Sequence, residues 1–288
     1  MIVGVIGAGR VGAVLGAALA GAGHTVVAAS GSSPASTARI ARLLPGAAHL
    51  PPAEVARAAT DLLLIAVPDD ALGPLVAGLP VRPGQVVAHT SGAQGIAVLE
   101  PAAARGARTL ALHPAMTFAG TGDDLSRLPG TAYGVTAPPE LRPLATQLVA
   151  DLGGTPEWVA EADRPLYHAA LAQGANHLVT LVNEAADRLR DAGVVHPENI
   201  LEPLLRAALD NALRHGDAAL TGPVSRGDAG TVARHLERLA AAAPDSVPAY
   251  VAMARRTADR AIAAGRLRPI DAERLLDVLA NPRQEVQA

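Results

Sequence analysis

Six residues constrain this chain more than any others: Gly7-Ala8-Gly9-Arg10-Val11-Gly12 stands directly after a short apolar run at 2–6 and opens a helical pattern over 11–22. In a G-x-G-x-x-G run set between strand and helix, each glycine has its own task. The first permits a tight turn, the second lets a pyrophosphate come close to the backbone, and the third lets helix and strand pack closely. Free N–H groups at the helix start then favour an anion. Gly7, Gly9, Arg10, Val11 and Gly12 are therefore candidate cofactor-binding residues.

The pattern that follows supports this reading. Short apolar runs at 25–29, 62–67, 85–89, 108–112 and 132–135 read as strands, separated by helix-like segments and by turns at 68–70 and 90–95. Strands alternating with helices predict a parallel sheet with crossover helices. At 288 residues the chain also exceeds one comfortable core, which predicts two domains. Strand signals stop after Leu152-Gly153-Gly154 and a short segment ending near Val159, so the expected division is a dinucleotide-binding domain at 1–158 and a helical substrate and dimerisation domain at 159–288.

Asp163 is placed to cap a helix with Pro165 in its first turn, and nothing strongly breaks the pattern before Gly193. That helix would run about 28 residues, or about 42 Å. Further helices are expected at 200–213, 231–242, 248–264 and 271–279, and the tail after Asn281 reads as disordered.

Composition removes several classes of chemistry. There is no cysteine, which excludes disulfides, thiolate nucleophiles and cysteine metal sites, and no metal is expected. There is no lysine, which excludes a Schiff base and a lysine general acid. A formal charge of −3 offers no basic face for nucleic acid and no polybasic signal for a membrane. The apolar opening carries Arg10, is punctuated by Gly4, Gly7, Gly9, Gly12 and Gly16 and lacks a basic start, unlike a signal peptide, so a cytoplasmic location is expected.

Cofactor choice is read at the end of the second strand, where an acidic residue would hold the ribose hydroxyls of NAD. None stands there; Ala29-Ser30-Gly31-Ser32-Ser33 offers hydroxyls and amides instead, with Arg10 and Arg39 near in sequence. Ser30, Ser32 and Ser33 could bond a 2′-phosphate, which favours NADP, or could form an ordinary polar loop before a helix at Pro34. In an open α/β sheet the ligand lies outside the carboxyl ends of the strands, so Pro68, Asp69, His89, Thr90, Ser91 and Gly92 should line the nicotinamide side. His113 ends the next strand and is a candidate substrate residue together with Thr117.

On the long helix, Tyr167, His168, Gln173, Asn176, His177 and Asn183 interrupt an Ala- and Leu-rich segment. At about 100° per residue, His168, Asn176 and Asn183 share one polar strip, either the wall of an active site or a set of side chains that satisfy one another. Farther on, Arg226 could clamp a substrate carboxylate, or could merely pair with Asp228 where the latter caps a helix.

The glycine turn, His89-Thr90-Ser91-Gly92, Leu112-His113-Pro114, Tyr167-His168-Ala169-Ala170 and Leu220-Thr221-Gly222-Pro223 with Arg226-Gly227-Asp228 together resemble a bacterial Rossmann-like oxidoreductase family. The C-terminal half of that family is a domain of unknown function, and the resemblance covers essentially the whole chain. The family is similar in turn to the wider group of pyrroline-5-carboxylate reductase, ketopantoate reductase and the 6-phosphogluconate and hydroxyisobutyrate dehydrogenases. The resemblance implies an α/β fold class: a Rossmann-type, doubly wound, mostly parallel sheet followed by an all-α domain like the C-terminal domain of 6-phosphogluconate dehydrogenase. It also implies that the long helix faces the nicotinamide and that the chain forms a homodimer; NAD, or a deazaflavin as in some related reductases, is the lesser alternative to the NADP read from Ser30 to Ser33.

One departure matters. Several dehydrogenases of that group place a catalytic Lys four residues before an Asn; Asn176 would match the Asn, but Ala172 stands in the Lys position. An iminium accepts hydride without a strong side-chain acid, whereas a ketone oxygen needs a donor, which His168, or Tyr167, would supply here. His168 is preferred because imidazole titrates near neutrality. The expected activity is an NADP-dependent reduction of a carbonyl or imine in a small carboxylated metabolite, a 2-oxo acid or a cyclic imine. A non-catalytic NADP-binding sensor or scaffold is the alternative, and the missing lysine is its best argument.

Overall fold

The expected strands form in a computed structural model, which describes residues 1–280; the tail expected to be disordered lies outside the described residues. The first half runs β1 (Ile2–Ile6), α1 (Arg10–Gly21), β2 (Thr25–Ser30), α2 (Pro34–Leu43), β3 (Ala48–His49), α3 (Pro52–Ala58), β4 (Leu62–Ile65), α4 (Asp69–Gly78) and β5 (Val86–His89). It continues with α5 (Glu100–Ala103), β6 (Arg108–Pro114), α6 (Asp123–Arg127), β7 (Ala132–Thr136), α7 (Arg142–Asp151) and β8 (Thr155–Trp158). One eight-stranded sheet results, in the order β3-β2-β1-β4-β5-β6-β7-β8. Every neighbouring pair is parallel except β6 with β7, so β1, β2, β4, β5 and β6 all end on the same side.

Strand β4 shows why the sheet is buried on both faces. Successive side chains of a strand point to opposite faces. Leu62 and Leu64 join a core with Val3, Val5, Leu15 and Leu110, while Leu63 and Ile65 join a second core with Val55, Leu72 and Val87. A continuous apolar run is what a parallel strand covered by helices on both sides requires. The two-residue β3 escaped sequence reading because Ala48-His49 is too short to show a period.

By contact the chain divides into Met1–Ala175 and Asn176–Ala288. The long helix forms over the expected span but is not uniform: α8 (Arg164–Leu171) leads through a π turn at Ala172–Asn176 into α9 (His177–Asp191). A π turn departs from the regular 100° spacing, so the single polar strip expected from an ideal helix does not carry across residues 172–176. Asp163 precedes α8 but its side chain makes no capping bond, since a 3₁₀ turn at Glu161–Asp163 already leads into the helix. The second unit adds α10 (Pro197–His215), α11 (Ala229–Ala242), α12 (Val247–Ala263) and α13 (Pro269–Ala280) around a core of Val232, Leu236, Ala258, Ala261, Leu275 and Leu279. No described helix is long and apolar enough to cross a membrane.

Candidate active site

The glycine turn has the geometry its spacing predicts. Gly7 takes a φ of +85°, a left-handed conformation that only glycine adopts without strain, and a Cβ there would lie 2.6 Å from the carbonyl oxygen of Ala66. At Gly12 a Cβ would collide with the carbonyl oxygen of Gly7, which is how helix α1 seats tightly on β1. At Gly9 the nearest atom would stand 3.9 Å away, so this edge of the turn is open to an approaching group. The amides of Gly7 and Ala8 donate to Ser30 O at 3.1 and 2.7 Å and that of Gly9 to Gly7 O at 2.7 Å. The amides left for an anion are those of the first helical turn, Arg10, Val11 and Gly12, which have no acceptor within a helix.

A cleft of about 450 Å³ opens beside this turn, lined by Gly7, Ser30, Gly31, Ser32, His49 and Leu75 among others. Ser30 is buried and Ser32 exposed. Ser33 is occupied otherwise: its hydroxyl accepts from Ser36 N at 3.1 Å in a capping box that starts α2. Arg10 and Arg39 come together across the sequence, since a Cβ on Gly120 would lie 2.7 Å from both Arg10 Cγ and Arg39 Nε.

At the end of β5, His89 is fully buried. Its Nε2 lies 2.8 Å from Gly95 O and its Nδ1 accepts from Ser91 N at 3.1 Å, while Ser91 Oγ accepts from Gln94 N at 3.0 Å. Both side chains thus shape the loop from within. Burial pushes the His89 imidazole down to about 4, so it is neutral at pH 7. Pro68 is exposed at the end of the neighbouring strand, and Asp69 follows it as the first residue of α4.

Three aromatic groups expected from sequence meet beyond that loop. His113 Nδ1 lies 2.9 Å from the Tyr167 hydroxyl, and the rings stand edge to face with centroids 5.6 Å apart. His168 contacts His113 in the same manner at 5.8 Å. Two glycines admit them: a Cβ on Gly92 would lie 2.5 Å from His168 Cδ2, and one on Gly134 would collide with the Tyr167 hydroxyl. Burial, helped by the charge of Arg164, pushes His113 down to about 4. The Tyr167 phenol is raised by burial against the opposing pull of Arg164 and a backbone hydrogen bond from Gly134.

The other candidates are placed elsewhere. Thr117 is exposed on the loop after β6. Asn176 ends the π turn, Asn183 is exposed on α9 and Arg226 is exposed on the 3₁₀ turn Val224–Arg226, all three in the second unit. Asp228 caps α11, accepting from Thr231 N at 3.0 Å.

Residues 1–114 match a Rossmann-like domain, and residues 131–257 match a domain of unknown function, DUF2520. The chain joins a Rossmann-like domain to a DUF2520 domain. No curated protein sequence matches it. Among solved structures, a Bacteroides fragilis protein to which NADP oxidoreductase activity is attributed is similar at 20% identity and a TM-score of 0.76, over 90% of this chain and 98% of that one. A reductive aminase from Aspergillus terreus, in complex with NADPH and ethyl levulinate, is similar at 21% identity and a TM-score of 0.66, over 92% and 94%. The 1-pyrroline-5-carboxylate reductase of Streptococcus pyogenes is similar at 18% identity and a TM-score of 0.61, over 91% and 98%.

Two residues of the site in this Rossmann-like, DUF2520-containing chain are silent in the sequence reading. Glu161 accepts from Ile96 N and Ala97 N at 2.8 and 3.0 Å, fixing the segment after the His89 loop. Arg164 is fully buried beneath Tyr167. A signal for it did exist: a cation in the first turn of a helix opposes the helix dipole, which points to a tertiary reason for its presence.

Proposed function

We propose that this chain is an NADP-dependent oxidoreductase that reduces a carbonyl or imine bond in a small carboxylated metabolite. The observation that carries the reading is that the open edge at Gly9 and the His113–Tyr167 pair both lie at the side of the sheet where β1, β4, β5 and β6 end. The residues present fit a dinucleotide: the amides of Arg10, Val11 and Gly12 suit its diphosphate, and the 450 Å³ cleft suits its adenosine half. Ser30, Ser32, Arg10 and Arg39 suit the 2′-phosphate that distinguishes NADP, with no acid at the end of β2 to favour NAD.

When bound, a reduced nicotinamide supplies hydride to the electrophilic carbon. The chain then has to provide a proton for the oxygen or nitrogen. Tyr167 is the donor in this reading, with the imidazole of His113 fixing its hydroxyl and His168 completing the wall. His113 is neutral at pH 7 and half-buried against the phenol, so it orients rather than charges the site. A 2-oxo acid or a cyclic imino acid is the substrate class in this reading.

The apolar side chains exposed on α9 and α10, Val179, Leu181, Leu204, Leu209 and Leu213 among them, suit burial against a second copy, and a homodimer is part of the reading. The cysteine-free composition suits the cytoplasm. The test is calorimetry with NADPH and NADH, followed by a panel of 2-oxo acids and cyclic imines monitored by the near-ultraviolet absorbance of the reduced nicotinamide. Binding of NADPH in preference to NADH, with turnover of at least one panel class, is expected. No heat of association with either nucleotide at millimolar concentration overturns the reading.

A further inference from the structure

Arg164 has no exposed surface, yet it makes no ion pair among the described residues. Its Nη2 donates to Ser91 O at 2.7 Å, and its Nη1 donates to Gly134 O at 3.1 Å and to Thr136 Oγ1 at 3.2 Å. Its Nε has no hydrogen-bond partner among the described residues. Burying a cation on neutral acceptors alone is costly, and a neutral donor or an apolar side chain of similar volume would hold the same elements with less desolvation. The charge itself therefore needs a reason.

The reason lies one helical turn on. The guanidinium carbon sits 5.8 Å from the centre of the Tyr167 ring, and the Tyr167 hydroxyl sits 2.9 Å from His113 Nδ1. We propose that Arg164 is a positioning residue: it ties the loop after β5 to β7 and holds a positive charge, with no carboxylate in ion-pair range among the described residues, against the Tyr167–His113 pair, so that a phenol, not an imidazolium, delivers the proton. This rests on the reductase reading above. In that step hydride from a reduced nicotinamide adds to the carbon of the C=O or C=N bond, the π electrons move to oxygen or nitrogen, and that atom takes the phenol proton. The phenolate left behind is stabilised by Arg164 and by the Gly134 amide, and it regains its proton from water.

The charged and titratable groups that face the pair come from every element around it. Arg164 and His168 stand on α8, His89 on β5 and Asp69 at the start of α4, while Glu161, on the 3₁₀ turn before α8, acts on Arg164 and His89. Arg164 and His168 oppose a proton on His113; Asp69 favours one. Burial and Arg164 prevail, and the imidazole is held at about 4.

The test titrates His113 by NMR of its ring protons between pH 4 and 8 in the full chain without cofactor, with the signal assigned by its loss in His113→Gln. In the parent, His113 is expected to stay neutral through pH 5. In Arg164→Gln its midpoint is expected to rise by about one unit, a tenfold change in protonation. Arg164→Lys, which keeps the charge, is expected to titrate like the parent. An Arg164→Gln protein that folds and titrates like the parent overturns the proposal. If Arg164→Gln does not fold, the lysine variant decides: a parental midpoint supports the charge role, and a raised one overturns it. NADPH binding to the same proteins is measured separately, so a failed titration with intact binding sinks this inference alone, and absent binding sinks the reductase reading.

Discussion

The Tyr167 hydroxyl reaches His113 Nδ1 at 2.9 Å because residue 134 on the neighbouring strand is glycine: any Cβ there would occupy the space of the phenol. A helix residue and a strand residue 54 positions apart are thereby fixed in one hydrogen bond. Tyr167→Phe removes the hydroxyl without changing the packing volume, and is expected to lower turnover by about 100-fold or more while NADPH affinity stays within about twofold. Gly134→Ala is expected to lower turnover likewise by displacing the same group. Steady-state rates beside calorimetric NADPH binding check this; full activity in Tyr167→Phe would remove the phenol from the chemistry.

The three glycines of the turn make separable predictions. Gly12→Ala drives a methyl group into the Gly7 carbonyl and is expected to cost about 1–3 kcal/mol of stability. Gly9→Ala has open space around the new methyl group, so its melting temperature is expected to match the parent within about 2 °C. Its NADPH affinity is nonetheless expected to fall about tenfold, because in the proposed site a methyl group there would stand where the diphosphate comes closest. Thermal melts paired with calorimetry separate the two effects, and a Gly9→Ala protein with parental affinity would move the phosphate elsewhere.

Those glycines were legible from sequence because their spacing is a backbone requirement, and backbone requirements survive without any knowledge of the fold. The strands were legible for a similar reason, since β4 and β5 are apolar on both faces and are bounded by Pro68 and by Thr90-Ser91-Gly92. His113, Tyr167 and His168 could be singled out but not joined, because the bond between them depends on β6 and β7 pairing antiparallel and on the cleared space at Gly134. Arg164 was legible only as a cation set against the dipole of its own helix, which says nothing of what surrounds it. In sequence it is one more arginine beside a proline, and its burial arises only once Ser91, Gly134 and Thr136 converge on it from distant segments.

Acid stability should report the buried histidines. His89 has no exposed surface and its folded pKa is pushed down to about 4 from 6.5. A lowered histidine pKa stabilises the neutral folded form, so the contribution is complete above pH 6.5 and drains away as pH falls toward 4, because the unfolded chain takes up the proton first. At about 1.4 kcal/mol per unit, the loss from this residue is on the order of 3 kcal/mol at pH 4. His113 acts in the same direction. Urea midpoints at pH 7 and pH 4.5 are expected to differ clearly in the parent and less in His89→Gln; equal differences in the two proteins would show that another group carries the acid sensitivity.

The arginines gathered at Gly120 make nucleotide selectivity a test of the proposed site. Asp124 is fully buried and accepts from the amides of Ala119, Gly120 and Thr121, at 3.3, 2.7 and 3.3 Å, and Arg42 Nη2 donates to Gly120 O at 2.8 Å. The loop is thus pinned from both sides, and at a φ of +79° Gly120 rests between Arg10 and Arg39 with no side chain to push them apart. If these two forks grip the 2′-phosphate, Arg10→Ala and Arg39→Ala should each weaken NADPH about tenfold and leave NADH within about twofold. Gly120→Ala should reproduce that loss with both arginines present, because its methyl group forces them from their places and strains the turn. Equal losses for both nucleotides in Arg39→Ala would instead assign the arginine to the shared diphosphate or to the stability of α2, and would leave Ser30 and Ser32 as the groups that choose between the two cofactors.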